Sequence, residues 1–158
     1  MTSGYIRPYL DANVYITAIT GPGVEDPSRV DTAAKILKSA EDGRLQIIAS
    51  TLIIAEVVRD KPTTSGGPGV FDQFILHRFM SWVEMDFNLA RKARSLAQTY
   101  GFKGADAVHV ASAIRGGADT FLTWDDKVLN RFPNPDGIEG LRAELPYVVQ
   151  PPQLALDL

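Results

Sequence analysis

Short apolar runs alternate with stretches of helical periodicity along this 158-residue chain, and few hairpin signals interrupt the alternation. Residues 9–10, 45–49, 82–85, 120–122 and 147–149 read as strands. A helix is expected over 28–40, capped by Ser28, with Ala33, Ile36, Leu37 and Ala40 on one side and Gly43 stopping it. Further helical patterns cover 51–59, 70–80, 88–100 and 106–115, with Gly101 and Gly116-Gly117 as stops. The residues after Asp11 can start another helix. Strands separated by helices cannot pair as hairpins, so the chain is expected to form a three-layer α/β/α domain. Its sheet is mostly parallel, with about five strands. One domain over 1–149 and a short surface tail over 150–158 follow, with loops at 21–23 and 60–69.

The side chains available narrow the chemistry. Cysteine is absent, which excludes disulfides, thiolate zinc sites and cysteine nucleophiles. Two histidines, His77 and His109, cannot build a multi-histidine cage. A bound metal must therefore be held mainly by oxygen, which favours magnesium or manganese over zinc. The net charge of -3 argues against wrapping in nucleic acid by bulk charge, but leaves room for a local basic patch. No signal peptide or membrane span is legible, so a cytoplasmic location is expected.

Four acids stand at the edges of apolar segments: Asp11 after the first strand, Glu56 within 52–58, Asp106 at a helix start and Asp125 after the fourth strand. Carboxylates in such company lose solvation unless a cation or hydrogen-bond donors compensate them. Each also has an ordinary structural role. Asp11 can cap the next helix, and Asp106 suits the positive end of its own. Thr123 and Asp126 resemble a capping box, with Asp125 the better ligand of the adjacent pair. Glu56, flanked by Ala55 and Val57, needs a partner if its helix is buried. Asn13 can position Asp11 or a bound water, while Ser50 and Thr51 read as caps. His109 shares a face with Asp106 and reads as a packed, hydrogen-bonded histidine. Brought together, the four acids would place about four negative charges within bonding distance of a divalent metal. The stretch 88–103 is basic, and Arg91, Arg94 and Lys103 could guide a phosphate backbone.

The order of these motifs resembles the PIN-domain ribonucleases, and within them the VapC-type toxins of toxin–antitoxin pairs. The matching residues are Tyr9-Leu10-Asp11-Ala12-Asn13-Val14, Ser50 with Glu56, Ala105 to Ala113 around Asp106, and Leu122-Thr123-Trp124-Asp125. The resemblance implies a catalytic quartet of Asp11, Glu56, Asp106 and Asp125, supported by Asn13, Ser50, Thr123 and Asp126. Asp11, Asp106 and Asp125 would ligate one or two Mg2+ or Mn2+ ions, and Glu56 would act through water. It further implies RNA hydrolysis, a small antitoxin partner and a homodimer. Two alternatives stay open: an RNA-processing nuclease outside toxin–antitoxin systems, and a PIN-like module that binds RNA or protein without cutting. A phosphoacceptor receiver would need paired acids at the first strand, where Asp11 has no acidic neighbour. A haloacid-dehalogenase-like phosphatase would need an acid at position 13, which is Asn.

Overall fold

The computed structural model describes residues 6–58, 67 and 69–149. Five parallel strands lie in the order β3-β2-β1-β4-β5: β1 Pro8–Leu10, β2 Ile47–Ser50, β3 Met80–Val83, β4 Thr120–Leu122 and β5 Arg142–Glu144. The helices are α1 Ala12–Thr20, α2 Pro27–Glu41, α3 Leu52–Glu56, α4 Val70–Ile75, α5 Phe87–Tyr100, α6 Gly104–Arg115 and α7 Asp126–Leu129. From β1 to β3 the chain moves across the sheet in one direction, through α1 to α4. It then returns through α5 and α6 to place β4 on the other side of β1. Right-handed crossovers put connections of opposite direction on opposite faces, which yields the three layers.

The strand pairing explains the core. Tyr9 lies opposite Ile48 and Phe121, so these three side chains share the face covered by α6, and Tyr9 stacks on Phe121 at 5.0 Å. Leu10 and Leu122 are opposite each other and point to the other face. All five are essentially solvent-free, and each buried aliphatic side chain contributes about 1.5–3 kcal/mol. Gly116 ends α6 against β2: a methyl group there would collide with Ile48 Cγ2. That contact fixes how closely the last turn of α6 approaches the sheet.

Several element boundaries differ from those expected. The fifth strand is Arg142–Glu144, not 147–149, although Val149 is buried. Helix α2 is capped by Asp26, which accepts from the Ser28 amide, and Pro27 fills the first turn. Helix α4 stops at Ile75, because the Phe79 carbonyl is already bonded to the Ile47 amide at the start of the β2–β3 pairing. Helix α3 stops at Glu56. Most of the 60–69 loop and the whole 150–158 tail lie outside the described residues.

Candidate active site

The sheet reverses its direction of growth between β1 and β4. At such a switch point the loops leaving the carboxyl ends of two neighbouring strands diverge and open a crevice. Asp11 leaves β1 there, and Thr123 to Asp125 leave β4. Asp11 is 7% exposed and caps α1: its Oδ1 accepts from the Ala12 amide at 2.8 Å. Its Oδ2 accepts from Thr123 Oγ1 at 2.8 Å. The same Thr123 oxygen accepts from Asn13 Nδ2 at 2.9 Å and from the Asp125 amide at 3.0 Å. Asn13 and Thr123 thus lock the two strand ends together and orient Asp11. The expected capping box does not form, because Asp125 itself caps α7 by accepting from the Lys127 amide at 2.9 Å. Asp126 is exposed in the first turn of α7.

Asp106 lies in the first turn of α6 and is partly buried. Burial raises its pKa above the usual carboxylate range, and the negative charges of Asp11 and Asp125 raise it further. Burial also raises Asp11, against the pull of His109 and the Thr123 and Ala12 hydrogen bonds. Three of the sequence-predicted acids therefore act on one another at the switch point. They are spaced more widely than a metal cage: among the described residues no three histidine, aspartate or glutamate side chains converge as a ready ligand cluster. The donor set still fits a hard divalent cation. It consists of carboxylate oxygens whose mutual repulsion such an ion would relieve.

Glu56 is held differently. Both of its carboxylate oxygens lie 3.0 Å from His109 Nε2, and His109 is buried. On the far side of the ring, His109 Nδ1 is 2.6 Å from the Tyr9 hydroxyl, whose oxygen also accepts from the Ser50 amide at 3.2 Å. This arrangement suits a tyrosine hydroxyl donating to Nδ1 and an Nε2–H donating to Glu56. Ser50 Oγ accepts from the Leu52 amide at 3.1 Å, so its hydroxyl tethers the start of α3. Burial lowers the His109 pKa, but the Glu56 hydrogen bond and the charges of Asp11, Glu56 and Asp106 outweigh it, leaving a net rise. The packed, hydrogen-bonded reading of His109 agrees with this network. Tyr9 was not anticipated as its partner, since a tyrosine at the start of an apolar run carries no polar signal.

The PIN domain family pattern matches residues 9–134, which span β1 to the residues beyond α7 and include all four acids. The chain belongs to the PIN domain family. Three solved structures share the PIN fold with it. A toxin–antitoxin complex from Klebsiella pneumoniae has a TM-score of 0.58 at 18% identity, covering 90% of this chain and 99% of that one. The structure of VapBC2 from Rickettsia felis, bound to a promoter DNA fragment, gives 0.56 at 18% identity, covering 89% and 98%. FitAcB from Neisseria gonorrhoeae gives 0.53 at 17% identity, covering 88% and 97%. No curated protein matches the chain significantly.

The basic residues of this PIN domain divide by position. Arg91 and Arg94 are exposed on α5, opposite its buried Leu89, Ala93 and Leu96. Arg94 precedes Gly101 by seven residues, about 10 Å of helical rise away from the acids' end of α6. Lys103, in contrast, lines a small hollow together with Asp106, Asp125, Lys127 and Arg131. Lys127 and Arg131 were missed in the sequence because they fall outside the basic 88–103 stretch. Their proximity to Lys103 arises only when α7 folds back beside the start of α6. Among the described residues no helix is long and apolar enough to cross a membrane.

Proposed function

We propose that this PIN domain is a metal-dependent endoribonuclease and serves as the toxin of a VapBC-type toxin–antitoxin pair. The observation that carries the catalytic reading is the placement of Asp11, Asp106 and Asp125. All three lie at the sheet's switch point, and burial and mutual repulsion favour the protonated forms of Asp11 and Asp106. Asp11, Asp106 and Asp125 would hold one or two Mg2+ or Mn2+ ions. A bound divalent ion supplies charge neutralisation and an activated water for phosphodiester hydrolysis. The chain's own residues do the rest. Thr123, itself held by Asn13, fixes Asp11 through a hydrogen bond to its Oδ2. His109 holds Glu56 at the rim, where it would reach a metal-bound water.

The toxin role draws on the likeness in fold to a toxin–antitoxin complex and to a VapBC structure. It implies a small antitoxin that blocks the site, a homodimer and action in the cytoplasm. Two experiments test the proposal. RNA cleavage by the purified chain should require Mg2+ or Mn2+, stop in EDTA, and fall at least about 100-fold in Asp11→Asn. Cleavage that survives EDTA or this substitution would rule out the mechanism. Expression alone should arrest growth, and co-expression with the neighbouring open reading frame should relieve it. Normal growth in both cases would remove the toxin assignment while leaving the nuclease assignment intact.

A further inference from the structure

We infer that the hollow lined by Lys103, Lys127 and Arg131 beside Asp106 and Asp125 is a subsite for a backbone phosphate of single-stranded RNA, next to the one positioned at the acids. This deepens the ribonuclease reading and rests on it for the identity of the polymer. The three cations come from separate segments: Lys103 immediately before α6, Lys127 on α7 and Arg131 just beyond it. Buried neighbours fix each segment. Phe102, Val128 and Phe132 are in the core, and the rings of Phe102 and Phe132 meet edge to face at 5.6 Å. Arg131 is placed further by Gly101, the left-handed cap of α5. A methyl group on Gly101 would come within 2.9 Å of the Arg131 guanidinium.

What sets these cations apart is that all three line one hollow beside Asp106 and Asp125. Lys35, Lys38, Lys92 and Arg115 all form ion pairs with nearby carboxylates. Among the described residues Lys103, Lys127 and Arg131 form none within 4.0 Å, although two carboxylates line the same hollow and the chain carries net negative charge. Three cations held together on separate supports, none of them locked in an ion pair within 4.0 Å, form an anion-binding surface. Its position against Asp106 and Asp125 would set an anion directly beside the proposed reacting centre. A polyanion is the ligand that needs both at once: one phosphate at the acids and the neighbouring phosphate held by lysine and arginine. The cations would also offset the repulsion between the acids and an incoming RNA strand.

The test is binding of a fluorescent single-stranded RNA to the full chain in EDTA, followed by anisotropy across a salt series. Lys127→Gln/Arg131→Gln should weaken binding about tenfold. It should also reduce the slope of log affinity against log salt by about 0.7, the contribution of one phosphate contact. Lys35→Gln, which removes an equal type of charge from α2, should stay within about twofold of wild type. Lys127→Arg/Arg131→Lys keeps the charges and should retain the wild-type slope, which separates charge loss from damage to folding. Wild-type affinity and slope in the glutamine double variant would overturn the subsite, as would absence of RNA binding by the wild-type chain. Cleavage measured in parallel with Mg2+ separates the two readings: RNA bound normally but never cut would sink the nuclease and leave the subsite standing.

Discussion

The two halves of the acidic site are built on opposite electrostatic plans. On the β2 side, Glu56 meets His109, which is anchored in turn by Tyr9 and the Ser50 amide. On the β1–β4 side, among the described residues, Asp11 and Asp125 accept only from Thr123 and backbone amides, Asp106 is repelled by both of them, and the nearest charged partner of Asp11 is His109 Nε2 at 4.0 Å. The first half is completed by the protein. In the second, burial and mutual repulsion still outweigh the partners the protein provides and raise Asp11 and Asp106, and this is the half where an external cation would improve stability as well as supply chemistry. A site that were only structural would be expected to satisfy both halves alike.

The largest effect that can break this comparison is on the completed half. His109→Ala removes the partner of Glu56 and leaves the buried Tyr9 hydroxyl without its acceptor. It should cost about 3 kcal/mol in urea unfolding, combining a cavity with an unsatisfied polar group. Tyr9→Phe should cost less, about 1–2 kcal/mol, since His109 keeps Glu56. If His109→Ala unfolds at the wild-type urea concentration, the network is not holding this side of the site together.

A smaller effect is the dependence of stability on pH in metal-free protein. The folded state raises the pKa of His109 above its ordinary 6.5, and those of Asp11 and Asp106 above 3.8. For each group the native state binds protons more tightly than the unfolded chain. The corresponding stability is fully present below the unfolded value and is lost as pH rises through the folded one. For His109 that window begins at 6.5 and extends upward. Melting temperature in EDTA should therefore fall by a few degrees between about pH 6 and about pH 8. A rise over this range would mean that the His109 shift has the opposite sign.

How much of this could be read beforehand depends on what kind of signal each residue carries. Strands β1, β2 and β4 are buried and apolar, and α5 carries Leu89, Ala93 and Leu96 at helical spacing, so hydrophobic pattern located them. Strand β5 is Arg142-Ala143-Glu144 at the sheet edge, with both charged ends exposed, and has no such pattern to find. The apolar run at 147–149 attracted the strand assignment instead. The four acids were legible because charge beside apolar sequence is anomalous locally. The Tyr9–His109–Glu56 chain was not, because it joins residues 100 and 53 positions apart and depends on strand register. Lys127 and Arg131 were hidden for the same reason: their relation to Lys103 is set by the packing of Phe102 on Phe132.

The smallest effect tests the uncompensated half most directly. Asp106 makes no hydrogen bond that an amide would forfeit among the described residues, and both neighbouring acids disfavour its charge. Asp106→Asn should accordingly leave the metal-free protein at least as stable as wild type, by about 0.5 kcal/mol at neutral pH, because solvent screens a half-exposed group. The same change should abolish RNA cleavage. It should also separate the response to metal: Mn2+ should raise the melting temperature of the wild-type chain by preferential binding to the folded state, and leave that of Asp106→Asn nearly unchanged. Destabilisation of the variant in EDTA would show that Asp106 supports the fold through its charge. The β1–β4 half would then be as self-sufficient as the half built around Glu56, and the physical reason for expecting a cation there would be gone.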